Sequence, residues 1–148
     1  LATGLRALHA LDTGTCPLDR RLDAQLADGA ARVAAGLVDE SDFDPARRGL
    51  TAGAVLDWLM AHRPRGEDLV VAHGDASLPN IMARNGAFAG IIDIGRLGLA
   101  DRWQDLAIAC RSIIFNIGQA YVAPFLTAYG AEWDEARYRY YCTMDELF

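Results

Sequence analysis

Lysine is absent from this chain: all 14 basic residues are arginine. The lysine that a phosphate-binding loop or a nucleotide-gripping strand supplies is therefore not here, and neither G-x-G-x-x-G nor G-x-x-x-x-G-K-[ST] occurs. Cysteine is scarce and odd in number, at Cys16, Cys110 and Cys142. Such wide spacing supports neither a disulfide framework nor a metal knuckle, so reduced thiols are expected. Long apolar runs are missing as well. The longest, residues 106–117, is interrupted by Arg111 and Asn116, which excludes a membrane span. Positive charge is in deficit: a formal net charge of −6 and a pI near 4.9 argue against general nucleic-acid binding, which needs a basic face. The first residues, Leu1 to Leu11, contain Arg6 and His9 and lack a cleavage site, so a cytoplasmic protein is expected. The chain begins at Leu1, inside a helical pattern, and is expected to be the carboxy-terminal part of a longer protein.

What is present suffices for a core. Of 148 residues, 52% are hydrophobic, which suits one domain burying roughly 70% of its unfolded surface. Leu1, Leu5, Leu8 and Leu11 recur at helical spacing, and Leu22, Leu26, Ala30 and Val33 mark a second helix from Leu18 to about Gly36. Further helices are expected over 52–63, from Asp101 to about Phe115, over 119–129 with Pro124 as a kink or boundary, and from about Asp134 through Met144. Three short strands are expected at 69–72, 81–84 and 87–92, with Asn85-Gly86 turning between the last two. Trp133, Tyr138 and Tyr141 are candidate core residues, and His9 a structural hydrogen-bonding one. The sum is a mainly helical α+β fold.

The chemistry concentrates between residues 73 and 96. An apolar run delivers the chain to His73-Gly74-Asp75, Asn80 stands five positions after that aspartate, and a second apolar run ends in Asp93-Ile94-Gly95-Arg96. Protein kinases use the same order: a catalytic Asp, an Asn five positions on, and an Asp-x-Gly after a short strand. Phosphoryl transfer asks a protein to orient a hydroxyl and to hold magnesium on the phosphates. Asp75 suits the first task as proton acceptor. The oxygens of Asn80 and Asp93 suit the second, because magnesium prefers hard oxygen ligands. His73 is expected to pack under the loop and bond backbone, with no part in the chemistry. Residues 39–44 place four carboxylates within six positions with no base among them, as a plain surface loop or as a cation site.

This pattern resembles the aminoglycoside phosphotransferase family, most closely the members that modify the 3′-hydroxyl. The similarity runs through Leu8-His9-Ala10-Leu11-Asp12, Gly36-Leu37-Val38-Asp39, Asp68-Leu69-Val70-Val71, Ile92-Asp93-Ile94-Gly95-Arg96, Ala100-Asp101-Arg102-Trp103-Gln104-Asp105-Leu106-Ala107 and the ending Asp145-Glu146-Leu147-Phe148. The resemblance implies the carboxy-terminal lobe of a protein-kinase-like fold, with the amino-terminal nucleotide lobe not included. It implies ATP or GTP as phosphoryl donor, magnesium as cofactor and an aminoglycoside as acceptor. Asp42, Asp145, Glu146 and Phe148 would then meet the acceptor's amines, and Asp105 would pin the backbone of the catalytic loop. Arg96 and Arg111 would either steer phosphate oxygens or pair with acids. Relatives often carry acids where Ile114-Phe115-Asn116 stand here, which implies one acceptor contact fewer. Two other readings are a kinase of another small alcohol with this fold, and an inactive truncated fragment.

Overall fold

Helix α4 (Arg102–Asn116) is the axis of the structure, a computed structural model describing residues 1–148. Residues 103–110 are buried without interruption, so this helix has no solvent face along its first two turns. Asp101 starts it: its Oδ1 accepts the Trp103 N–H at 2.8 Å, satisfying a donor the helix cannot. Around it lie α1 (Ala2–His9), α2 (Leu22–Ala34), α3 (Ala52–Ala61), α5 (Val122–Tyr129) and α6 (Glu135–Asp145). Helix α6 packs on α4 and α3, α1 on α5, and α2 on α3. Leu5, Val55, Leu59, Leu106, Tyr141, Met144 and Leu147 are sealed at the centre. Cys110 and Cys142 belong to the same core, where burial pushes each thiol up to about 12, so both act as small apolar residues. No helix is long and apolar enough to cross a membrane.

The strands form two antiparallel ribbons rather than one sheet. One pairs β1 (Leu69–Ala72) with β4 (Gly98–Asp101), and the other pairs β2 (Ile81–Arg84) with β3 (Ala87–Ile91). The second turns at Asn85 and Gly86, whose φ values of +54° and +75° suit a tight two-residue hairpin. Strand β4 was not expected from the sequence. Gly98-Leu99-Ala100-Asp101 has no β-branched residue, and only its partners make it a strand: Val71 lies opposite Leu99, and Leu99 also bonds the backbone of Leu18 and Arg20. That second contact explains a further correction. Residues 18–21, expected to open α2, are extended instead, and the helix begins at Leu22.

Pro124 does not kink a helix. A single 3-10 turn over Gln119–Tyr121 precedes α5, and Pro124 falls in the first turn of α5, where its missing N–H leaves no bond unmade. Helix α1 stops at His9, which leaves Leu11 exposed. Trp133, expected in the core, is 41% exposed in the loop before α6, with its ring against Tyr138 and its indole N–H bonded to Glu135 at 3.0 Å. Tyr141 is fully buried.

Candidate active site

Asp105 is the buried foundation of the site. It projects from the first turn of α4, is 0% exposed, and accepts three hydrogen bonds: from the backbone N–H groups of His73 (2.7 Å) and Gly74 (2.8 Å), and from His9 Nε2 (2.9 Å). A carboxylate out of water demands such donors, and these fix where β1 ends. With Nε2 of His9 donating, Nδ1 accepts from the Tyr129 hydroxyl at 2.7 Å. Helices α1, α4 and α5 therefore all help to place one short loop.

His73 carries that placement to the second half of the motif. Its Nδ1 accepts the Asp75 N–H at 3.2 Å, so Nε2 bears the proton and donates to the carbonyl of Ile92 at 2.9 Å. Asn80 closes the ring: its carbonyl accepts the Ile92 N–H at 3.0 Å, and its Nδ2 donates to the Asp75 carbonyl (3.0 Å) and to Asp75 Oδ2 (2.8 Å). Ile92 is thus held on both sides, and Asp93 follows it. Asp93 is exposed and stands at φ +59°, a left-handed conformation that aspartate and asparagine adopt more readily than other non-glycine residues. The Leu78 N–H bonds Ser112 Oγ at 2.9 Å, tying the far end of the loop to α4.

Two sets of oxygens are left over. Asp75 Oδ1 has no partner within the protein, because Asn80 holds only Oδ2. Asn80 Oδ1 and the Asp93 carboxylate are likewise uncommitted, since Asn80 bonds through its nitrogen. Two hard oxygens suit magnesium, which binds through one or two protein ligands and keeps water and phosphate for the rest. No group of three acid, histidine or cysteine ligands is assembled, which excludes a cage built from such residues.

Gly74 is required by shape as well as by backbone. It has φ +88°, and a Cβ there would lie 2.4 Å from the carbonyl oxygen of Arg96. Gly74→Ala is expected to cost at least about 1–3 kcal/mol from the left-handed backbone alone, and more from the clash. Gly36→Ala is the control, since Gly36 has φ +66° with nothing within 4 Å. Denaturation midpoints should rank Gly74→Ala well below Gly36→Ala.

Beside the loop opens a cleft of about 530 Å³. Its walls bring together the loop at 39–45, the outer face of α4 with Arg111, Ser112, Phe115 and Asn116, Ser77 and Pro79 from the loop after Asp75, and the tail from Asp145 to Phe148. Asp42 and the tail, a hundred residues apart in sequence, share this space. Asn116 turns its amide nitrogen back to the Ser112 carbonyl at 2.8 Å, and Phe115 stands 88% exposed at the rim.

The tail carboxylates differ from expectation, because arginines of the chain already pair with both. Asp145 bonds Arg96 (2.6 Å) and Arg111, and Glu146 bonds Arg47 (2.7 Å) and the Asp44 N–H (3.2 Å). Arg96 and Arg111 therefore pair with an acid, and Arg96 lies outside the cleft, beside Gly74 and Phe148. Burial opposes the charge of Arg111, yet the Asp145 carboxylate more than offsets it and holds the guanidinium above its ordinary range. Arg32 donates to the Leu147 carbonyl at 2.6 Å, and its guanidinium carbon lies 5.7 Å from the centre of the Phe148 ring. Arg32 and Arg47 were not foreseen. Nothing local marks an arginine whose partner lies about a hundred positions away.

A helical lobe that holds an Asp–Asn loop against an Asp-x-Gly turn, beside an acid-lined cleft, has the layout of the kinase-like class of folds. Residues 1–141 match the model of the phosphotransferase enzyme family, and the chain belongs to that family. It is 43% identical to an aminoglycoside 3′-phosphotransferase of Streptomyces fradiae, covering 97% of this chain and 56% of the relative. A second such enzyme, from Niallia circulans, is 41% identical over 99% of this chain and 56% of its own length. Among solved structures, an aminoglycoside-3′-phosphotransferase of type VIII superposes with a TM-score of 0.93 at 37% identity, covering 99% of this chain and 58% of that one. The Streptomyces rimosus aminoglycoside phosphotransferase APH(3′′)-Id, in complex with ADP and streptomycin, gives 0.88 at 30% identity, covering 99% and 60%. The chain thus spans little more than half the length of the relatives it matches.

Proposed function

We propose that this chain is the catalytic and acceptor-binding part of an enzyme that moves the γ-phosphoryl group of a nucleoside triphosphate, ATP or GTP, to the 3′-hydroxyl of an aminoglycoside. The observation that carries the reading is the Asp75–Asn80–Ile92–Asp93 ring, held on Asp105 and His73 next to a cleft lined by five carboxylates and two guanidiniums. A polycationic acceptor fits that excess of negative charge. Asp39 and Asp42 are the carboxylates of the cleft that no arginine occupies, so they receive the first ammonium groups.

In this reading Asp75 Oδ1 takes the proton of the acceptor hydroxyl, while Asn80 holds the other oxygen and so fixes the direction of the carboxylate. Asn80 Oδ1 and Asp93 would hold magnesium, which when bound neutralises charge on the phosphates. Asp105 and His73 keep these groups in register. Met82, Phe88, Ile92 and Ile94 expose apolar surface along the β2–β3 ribbon and the Asp93 turn. That face would meet an amino-terminal nucleotide-binding lobe.

The experiment is a pair of assays with ATP, magnesium and kanamycin. Joined to the amino-terminal lobe of the Streptomyces fradiae relative, the chain should phosphorylate kanamycin at the 3′-hydroxyl, located by NMR of the product. A fused protein that consumes ATP only with another alcohol would favour the broader small-alcohol reading. The 148-residue chain alone, without lysine or phosphate loop, should show no turnover by coupled ADP release. A rate of about 1–100 per second from the chain alone would overturn this division of labour.

A further inference from the structure

One carboxylate in the tail faces both sides of the site. Asp145 lines the acceptor cleft, yet its Oδ1 accepts from Arg96 Nη1 at 2.6 Å and its Oδ2 from Arg111. The two arginines are not equivalent. Arg111 projects from the rigid central helix into the cleft itself. Arg96 ends the exposed turn that carries Asp93, its backbone lies against Gly74, and its guanidinium carbon is 5.4 Å from the Phe148 ring centre. Asp145 thus ties a cation of the metal-loop turn to the wall of the acceptor site.

The tie is of a kind that breaks readily. The Arg96 side chain is 34% exposed against 15% for Asp145, so water reaches the arginine end of the pair and lowers the cost of parting it. Asp145 also lines the cleft, so an ammonium entering there would compete for the same carboxylate. Asp105 shows the contrast: sealed from water and with three donors, it has nothing to exchange. The other tail carboxylate, Glu146, holds Arg47 and the loop at Asp44, and has no hydrogen bond to Arg96.

The geometry points to Asp145 as an exchange partner: an acceptor ammonium takes its carboxylate and releases Arg96 to the phosphate side of the Asp93 turn. This rests on the acceptor reading above. Asp145 is then a positioning residue that acts through Arg96, and the phosphate side gains a cation only when an acceptor is seated. Arg111 stays on α4, and the Phe148 ring offers the Arg96 guanidinium a second resting contact. Because linkage is reciprocal, a phosphate that draws Arg96 away also strengthens acceptor binding.

Guanidinium NMR on ¹⁵N-arginine-labelled chain, with kanamycin as acceptor probe and tripolyphosphate as phosphate probe, tests the exchange. Kanamycin should move the Arg96 signal to its position in Asp145→Asn, while the Arg47 signal stays. Asp145→Asn should bind tripolyphosphate about tenfold tighter than the parent, the worth of one freed charged donor. Glu146→Gln, with the same charge change, should leave that affinity within about twofold. Arg96→Gln removes the competitor for Asp145 and should bind kanamycin several-fold tighter, a gain no purely structural role predicts; this variant decides the matter if Asp145→Asn does not fold. Cleft signals that shift with kanamycin while Arg96 stays paired would overturn the exchange. So would equal tripolyphosphate affinity in Asp145→Asn and Glu146→Gln, or kanamycin binding by Arg96→Gln no tighter than the parent's. No shift at any cleft residue would overturn the acceptor reading itself, and the inference with it.

Discussion

Asp75→Asn, in the chain joined to a nucleotide-binding lobe, is expected to fold as the parent does and to lose turnover by about 10²–10⁴-fold. The geometry separates the two consequences. Asp75 Oδ2 accepts from Asn80 Nδ2 at 2.8 Å, and an asparagine at 75 keeps an oxygen for that bond. Its amide nitrogen then occupies the place of Oδ1, where the parent offers a free acceptor. The Asp75 N–H still bonds His73 Nδ1, so the backbone of the loop has no reason to move. The acceptor cleft is lined by other residues, so KM for kanamycin should change little while kcat collapses. Coupled ADP release and a thermal melt measure both halves. Retention of activity within tenfold would remove Asp75 from the role of proton acceptor.

The loop from His73 to Asn80 was legible because its arrangement is local. Asn80 bonds Asp75 five positions away and holds Ile92, the neighbour of Asp93, through its backbone, and such spacing is what a sequence displays. The hairpin at Asn85-Gly86 was legible for the same reason, since two adjacent positive φ values need those residue types. Strand β4 was not, because its pairing with β1 and with Leu18 lies wholly in tertiary structure. Pro124 signalled a break, but only the observed start of α5 distinguishes a kinked helix from a new first turn.

At the cleft the limit is different. The acidic loop and the tail were both visible as charge clusters, and the structure places them on one cavity. Their electrostatic state was only partly visible: pairing with acids was one of two readings for Arg96 and Arg111, and Arg47 was not foreseen. Arg47 meets Glu146 across 99 positions, and Arg96 meets Asp145 across 49, so clusters that read as bare negative charge are half neutralised in the fold. A count of acids overstates what an acceptor would feel, because each arginine must first be displaced or left in place. Asp42 lines the cleft and bonds no arginine of the chain.

Asp105→Leu is expected to be the most damaging single change to stability, at about 3–5 kcal/mol. The carboxylate is sealed from water and accepts from the His73 N–H, the Gly74 N–H and His9 Nε2. Leucine keeps the branched shape but is bulkier and accepts nothing, so three buried donors lose their partner at once. A domain with a total stability of about 5–15 kcal/mol would retain a fraction of it, and at about 2–4 °C per kcal/mol the melting point falls by roughly ten degrees. Asp105→Asn should fall between leucine and parent, since the amide keeps one oxygen for a backbone donor but turns an N–H towards another. His9→Ala removes one of the three contacts and should cost the least, about 1–2 kcal/mol. The order parent, His9→Ala, Asp105→Asn, Asp105→Leu is the test, read from urea midpoints at constant slope. Amide exchange supplies the local signature: the His73 and Gly74 N–H groups should lose protection in Asp105→Leu far more than the core of α6 does. Uniform loss across both regions would show that Asp105 supports the whole fold and has no special hold on the loop.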